Sequence, residues 1–351
     1  GEPGMGKSRL AFEAQSRLQA GPSATWVSGQ TDQLINHTPL SAFSYFLRPY
    51  FRQRRDRDAE SNRIAFDEVF ESLLKLADDT NRVDLSLYRS YLAGIAGLVI
   101  PGSPYAVADG RSRIDNSIAA LKAWVRAEAS RQPFVLHLDD AQWLDPISTR
   151  AVQNLTYNME HVPVVLLLTS RYNDDGTPPT VPNIYSVPVH TLDLNRLTDT
   201  GARAVVEAVL GGAVTDAVAR FVRDRAEGNP FFTEQLVLEL KGRGALIEVD
   251  GKWDIRPNAE GDVPLDVNAV LIARLDRLTA QVKAVVQTAA VLGREFDVQV
   301  LSRMLRDDEQ SYIQVAESEA IWSALDVLRY LFRHVLLRDP AYQMQVQERL
   351  K

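Results

Sequence analysis

Apolar residues return at helical spacing just after the opening GEPGMGKS. Leu10, Ala11, Ala14 and Leu18 share one side of a helix predicted over residues 8–20, which Gly21-Pro22 stops. Residues 24–29 (ATWVSG) read as a short strand, and the chain from there to about Leu121 as mostly helical. Two apolar runs follow, 134–138 and 162–169, with a helical stretch over 146–159 between them. That order of strand, helix and strand predicts an α/β fold with buried parallel strands. One further strand is expected over 185–194. From Thr198 the pattern changes to amphipathic helices, in which Val214, Ala217, Val218, Phe221, Val222 and Ala226 keep the i, i+3, i+4 rhythm. Residues 246–255 (LIEVDGKWDI) carry a hairpin signal with Asp250-Gly251 at the turn, and helices follow through Leu278, Val291 and Leu305. The expected division is an α/β core over 1–194, a helical subdomain over 195–245 and a small winged-helix-like domain over 246–351. No apolar strand precedes the opening glycines and no cap closes the last helical stretch, so a longer chain is expected on both sides.

Composition narrows the function classes. With 351 residues, 45% of them hydrophobic and 24% charged, the chain is globular rather than disordered. It has no cysteine, which removes disulfides, thiolate zinc sites and cysteine nucleophiles together. A net charge of -7 argues against a surface built to coat nucleic acid or anionic membrane. The longest apolar stretches, 92–100 and 162–168, fall short of the about 18 residues a membrane span needs. No secretory signal is seen either, so a cytoplasmic location is expected.

The opening segment matches G-x-x-x-x-G-K-[ST] with Gly1, Gly6, Lys7 and Ser8, and Gly4 adds a third glycine. Such a loop turns successive backbone N–H groups toward phosphates, and glycine permits the positive φ and close approach this needs. Gly1, Glu2, Pro3, Gly4, Met5, Gly6, Lys7, Ser8 and Arg9 are therefore the candidate nucleotide-binding residues. Lys7 would reach the β and γ phosphates and Ser8 would ligate Mg²⁺, while the helix that starts here adds its positive end. The apolar run 134–138 ends in Asp139 and Asp140, placing two carboxylates at the ligand edge of a parallel sheet. One would hold Mg²⁺, with Asp139 the candidate ligand beside Ser8, and the other would orient the attacking water; the division between them stays open. Arg171 follows the second run and could stabilise transferring charge at the same edge. His137 reads as a core residue of its strand. Asp145 and Pro146 read as the N-cap and first residue of a helix, and Gly228, Asn229 and Pro230 as the stop of one helix and the start of the next. The arginine-rich run 48–58 is interrupted by Asp56 and Asp58 and reads as a solvated face.

Taken in order, GEPGMGKSRL, LHLDDAQWLDPIS, LLLTSRY, EGNPFFTEQL, IARLDRLTAQVKAVVQTAAVLGREF and YLFRHVLLRDPAY resemble the STAND-type signalling ATPases of the AAA-like P-loop group. Such regions occur beside class III adenylate cyclase domains, in large LuxR-type regulators and in serine/threonine kinase fusions. The resemblance covers nearly all of the chain. It implies a P-loop ATPase core, a helical lid and a winged-helix domain, with ATP or ADP and Mg²⁺ as ligands. It also implies that Pro230 contacts the adenine and that His334 is presented to the nucleotide as part of an ADP-closed, ATP-open latch. Effector domains in the same chain (a cyclase, a DNA-binding domain or a kinase), tetratricopeptide-like repeats after Lys351 and ATP-dependent self-association are the implied partners, whereas direct DNA binding by these residues is not. Asp140 stands where AAA machines carry glutamate, and its shorter reach suits slow hydrolysis in a switch. The competing readings are an AAA-type remodelling ATPase or DNA-bound loader, and an interaction module that binds nucleotide without turning it over.

Overall fold

The computed structural model describes residues 1–21, 24–31, 38–54, 56–173, 175–177, 179, 187–257, 267–305, 310–319, 321–324, 329–332 and 335–349. The chain divides into two compact units, Gly1–Pro3 with Lys7–Leu194 and Gly4–Gly6 with Asn195–Lys351.

In the first unit the order is α1 (Lys7–Gln19), β1 (Thr25–Gln30), α2 (Ser41–Tyr50), α3 (Ala59–Leu76), α4 (Asp79–Ile95), α5 (Pro104–Val107), α6 (Gly110–Arg131), β2 (Phe134–Asp139), α7 (Pro146–Leu155) and β3 (Val164–Leu168). The three strands form one parallel sheet in the order β1-β2-β3. The central strand, FVLHLD, is buried along its length until the final aspartate, as an apolar run covered on both faces should be. Its register pairs Ser28 with His137, Gln30 with Asp139, and Leu138 with Leu168, so all three strands end together beside the acid pair. Against the sheet packs an aromatic core in which Trp124 stacks on Phe46 and meets Phe134 edge-on, continued by Phe51, Phe66 and Phe70. Aspartates N-cap α3, α4, α6 and α7, each accepting backbone N–H bonds of the first turn.

Two local expectations change. Helix α7 stops at Leu155, because Thr156 and Tyr157 close a turn and Asn158 takes φ 51°. Over 187–194 no strand forms: Val187 reaches the core, but Val189 and Leu192 are exposed, and the segment joins no sheet among the described residues. Residues 185 and 186 lie outside the described residues. On α1 the buried position is Ala11, whereas Leu10, Phe12 and Leu18 are exposed.

The second unit contains α8 (Asp199–Leu210), α9 (Asp216–Ala226), α10 (Pro230–Gly242), β4 (Leu246–Val249), β5 (Lys252–Ile255), α11 (Val267–Asp276), α12 (Ala280–Leu292), β6 (Glu295–Asp297), α13 (Val298–Leu305), α14 (Gln310–Ser318), β7 (Trp322–Ala324), β8 (Arg329–Phe332) and α15 (Val335–Arg349). The hairpin β4-β5 turns at Asp250 and Gly251, both at positive φ as a type I′ turn requires. It packs with α8–α10 in one core: Trp253 N–H donates to Ala213 O at 2.9 Å, and Thr215 Oγ1 to Asp254 Oδ1 at 2.7 Å. A second core joins α11–α15 to the antiparallel sheet β6-β8-β7 around Phe296, Trp322 and Phe332. Among the described residues no helix is long and apolar enough to cross a membrane.

Candidate functional site

The site in the first unit is built where β1, β2 and β3 end. Ser8, one residue into α1, donates its hydroxyl to Asp139 Oδ2 at 3.0 Å, with Oδ1 at 3.2 Å. Thr169, the residue after β3, donates its hydroxyl to Asp139 Oδ1 and accepts the Asp140 N–H at 3.2 Å. Thr31, the residue after β1, is buried and donates its hydroxyl to the carbonyls of Asp139 and Asp140. These clamps hold Asp140 in the left-handed region (φ 57°, ψ 43°), a conformation aspartate tolerates better than most residues. Beyond that turn lies a single 3₁₀ turn, Ala141–Trp143, anchored by Ala141 N–H to Thr169 O at 2.8 Å.

The left-handed residue separates two neighbouring carboxylates. Asp139 faces Ser8 and Thr169. Asp140 Oδ1 accepts Gln142 Nε2 at 3.0 Å and lies 3.5 Å from Arg171 Nε. Gln142 Oε1 in turn accepts the Arg171 N–H at 3.1 Å and the Ser170 hydroxyl at 3.2 Å. Lys7 Nζ donates to the carbonyls of Gly1 at 3.0 Å and Glu2 at 2.9 Å. Burial, and next the positive charge of Arg171, hold the Lys7 ammonium below its ordinary value, against the opposing pull of Asp140 and Asp139. Thus one cation and two carboxylates act electrostatically on the phosphate-loop lysine.

Within the loop, Gly4 (φ 83°) and Gly6 (φ 88°) adopt the positive φ that glycine favours. Gly4–Gly6 cluster with the second unit, where the Phe231 N–H donates to Gly4 O at 3.2 Å and a Cβ on Gly4 would fall 2.6 Å from Asn229 Oδ1. Met5 is buried. Asn229 N-caps α10 through the Phe232 N–H, and Pro230 is that helix's first residue. Arg9 pairs with Glu13 one turn along α1, at 2.6 Å, on the exposed helix surface. His334 lies outside the described residues.

His137 is buried in β2, edge-on to Trp26, with Nδ1 3.4 Å from Ser28 Oγ and Nε2 3.9 Å from Asp139 Oδ1, beyond hydrogen-bond reach. Burial pushes its pKa down. Asp145 is buried and caps α7 through the Ile147 and Ser148 N–H groups. The functional surroundings that sequence reasoning missed are Thr31, Gln142 and Thr169. Thr169 and Gln142 each lie within three residues of a named candidate; Thr31 has no comparable signal.

Ser8 Oγ and the Asp139 carboxylate offer hard oxygens on one spot, and among the described residues no group of three or more His, Cys, Asp or Glu is placed to hold a metal ion. That donor set fits Mg²⁺, which takes one or two protein oxygens and completes its shell with water and phosphate.

Residues 1–168 match the family model of the AAA ATPase domain. The parallel sheet with its flanking helices is an α/β P-loop NTPase fold, and these residues are similar to an AAA-type ATPase domain. Over 98% of its length it superposes on a signal transduction ATPase with numerous domains (STAND) from Pyrococcus horikoshii that carries a tetratricopeptide repeat sensor, with a TM-score of 0.52 and 11% identity. The chain spans 39% of that protein, and at this identity the likeness is one of fold. RuvB of Thermotoga maritima follows at 14% identity and a TM-score of 0.27, covering 78% of this chain and 97% of its own. The Drosophila ORC bound to DNA follows at 11% identity and 0.19, covering 96% and 94%. No curated protein matches the chain. The matched residues include Ser8, Asp139 and Asp140, and Thr169 and Arg171 are the first and third residues after them.

Proposed function

We propose that the ATPase domain works as a slowly hydrolysing, nucleotide-operated regulatory switch in a multidomain signalling protein. The observation that carries this reading is the separation of the acid pair: Asp139 with the Ser8 hydroxyl, Asp140 with Arg171. The loop amides between Gly1 and Ser8 would receive the phosphates, and Lys7 would turn from the Gly1 and Glu2 carbonyls to the β and γ oxygens. Ser8 and Asp139 would hold Mg²⁺, which when bound neutralises charge on the β and γ phosphate oxygens. Asp140 would orient the attacking water, and Arg171 would stabilise the charge developing on the γ-phosphoryl group. An aspartate reaches that water less well than a glutamate, which supports slow turnover.

For the switch itself, Pro230 at the start of α10 would contact the adenine, and His334 would close a winged-helix domain over ADP. ATP would favour an open form that releases effector domains or permits self-association. Such a shift requires that the nucleotide bind the two forms with different affinity. The test is bound-nucleotide analysis together with ADP affinity, ATP affinity and phosphate release, for the wild-type chain beside Lys7→Ala. ADP carried through purification and lost in Lys7→Ala, with slow phosphate release, is the expected result. Nucleotide binding without any release would leave an interaction module instead, and turnover at the rate of a motor would overturn the switch.

A further inference from the structure

One side chain in the site has a geometry that the roles above do not use. Gln142 sits in the 3₁₀ turn after the acid pair, half-buried, and its amide is engaged at both ends. Oε1 accepts from the Arg171 backbone N–H at 3.1 Å and from the Ser170 hydroxyl at 3.2 Å, while Nε2 donates to Asp140 Oδ1 at 3.0 Å. The Arg171 N–H on one side and a carboxylate on the other leave one chemically consistent orientation of the amide, since the reverse would set –NH₂ against N–H and oxygen against carboxylate; the Ser170 hydroxyl, which also reaches Arg171 O at 3.2 Å, fits either. The turn that presents it is itself fixed, by Ala141 N–H to Thr169 O at 2.8 Å and Trp143 N–H to Asp140 O at 3.0 Å. The amide therefore links the end of β2 to the segment after β3 by side chain, on top of the backbone link. Asp140 cannot leave Arg171 without breaking the Gln142 bond, and the Arg171 backbone cannot shift without losing its acceptor.

We propose that Gln142 is a positioning residue for the γ-phosphate chemistry: it couples the water-orienting carboxylate of Asp140 to the Arg171 segment, so that carboxylate and cation reach the reacting group as one unit. This rests on the roles given to Asp140 and Arg171 above. Gln142 touches neither phosphate nor water in this scheme and acts through its two neighbours. A glutamate is the nearest isostere. It would still accept from the Arg171 N–H and the Ser170 hydroxyl, but it has no hydrogen to give Asp140 and brings a second negative charge beside it.

The experiment measures single-turnover hydrolysis at saturating MgATP and, separately, equilibrium affinity for ADP. It uses the full chain as wild type, Gln142→Glu, Gln142→Ala, Arg171→Ala and the Gln142→Ala/Arg171→Ala double variant. A displaced catalytic group slows the chemical step by about 10-fold to 100-fold, so both Gln142 variants should lose rate on that scale with ADP affinity held within about 2-fold. The double variant should lose less than the product of the two single losses, because without the guanidinium only the Asp140 half of the coupling is left to lose. Wild-type turnover with both Gln142 variants unimpaired overturns this role and leaves the proposed function standing. So does a loss of ADP affinity in step with rate, or full additivity in the double variant. Nucleotide binding without turnover in the wild type overturns the hydrolytic function and this role with it. If Gln142→Ala fails to fold, the isosteric Gln142→Glu decides.

Discussion

Asp145 belongs to the same acidic stretch as Asp139 and Asp140, yet its surroundings assign it a structural task whose loss can be sized. Its side chain is 3% exposed. Oδ1 accepts the Ser148 N–H at 2.9 Å, the Ile147 N–H at 3.0 Å and, from the start of α2, the Leu40 N–H at 3.4 Å, while Oδ2 accepts the Ser148 hydroxyl. The carboxylate thus caps α7 and ties it to the left-handed Leu40 that opens α2. Replacement by alanine removes a helix cap, about 1 kcal/mol. It also leaves the buried Leu40 N–H without its acceptor, a further cost of about 1–3 kcal/mol. Asp145→Ala should therefore lose about 2–4 kcal/mol, which for a unit of this size lowers the melting midpoint by roughly 5–15 °C. Asp145→Asn keeps one acceptor oxygen and should lose about 1 kcal/mol or less. Urea unfolding measures the loss, and hydrogen exchange locates it, with the Leu40, Ile147 and Ser148 amides losing protection first. Asp145→Ala within about 0.5 kcal/mol of wild type, the range of ordinary surface changes, would refute the reasoning. Weakened nucleotide binding at unchanged stability would refute it too, and would move Asp145 into the site.

Gly4→Ala puts a Cβ 2.6 Å from Asn229 Oδ1 at φ 83°. The left-handed backbone alone costs about 1–2 kcal/mol for a residue with a Cβ, so nucleotide affinity should fall; binding equal to wild type would show that this loop conformation is dispensable. Ser8→Ala should weaken Mg²⁺-dependent nucleotide retention while unfolding stays within about 0.5 kcal/mol of wild type, because Ser8 is exposed; retention unchanged with and without Mg²⁺ would remove Ser8 from the metal shell. Burial, and then the Glu128 carboxylate, raise the Tyr50 phenol above its ordinary value of 10.0. Above that pH an unfolded Tyr50 releases its proton while the folded one keeps it, so the native state binds more protons and stability falls as pH rises. The unfolding midpoint should drop more steeply above pH 10.0 in wild type than in Tyr50→Phe, and equal slopes would dissociate the effect from this phenol.

Legibility from sequence followed the range of the interactions. The run FVLHLDD declared a buried strand ending in acid because burial on both faces leaves an unbroken apolar signature, and the structure places that strand at the centre of the sheet. Asp145-Pro146 and Asn229-Pro230 were readable as helix starts because a cap and a first-turn proline act within four residues. The clamp on the acid pair was not readable in this way. Thr31 reaches Asp139 O across 108 positions of chain, and Thr169 reaches the Asp139 carboxylate across 30, so nothing local marks either hydroxyl. The strand expected over 185–194 and not formed over 187–194 was misjudged for a related reason: apolar residues can describe an extended backbone, but only a neighbouring strand makes it a ladder.

The question left open by sequence, which aspartate serves the metal and which the water, turns on one backbone residue. Successive side chains of a strand point to opposite faces, and the left-handed Asp140 turns the second carboxylate further from the first. Asp139 is thereby occupied by the Ser8 and Thr169 hydroxyls, and Asp140 by Gln142 and Arg171. Asparagine at either position keeps size and some acceptor capacity while removing charge, so the two substitutions should separate the roles. Asp139→Asn should abolish the gain in nucleotide affinity that Mg²⁺ provides, because a neutral amide is a far poorer ligand for a hard cation. Asp140→Asn should keep that gain and lose single-turnover hydrolysis by about 10²-fold or more, the scale of a removed general base. Isothermal titration with and without Mg²⁺, set beside single-turnover rates, reads both. If Asp140→Asn lost the Mg²⁺ gain and Asp139→Asn kept it, the assignment would be reversed, and Ser8 would be donating to the catalytic carboxylate rather than sharing a metal with it.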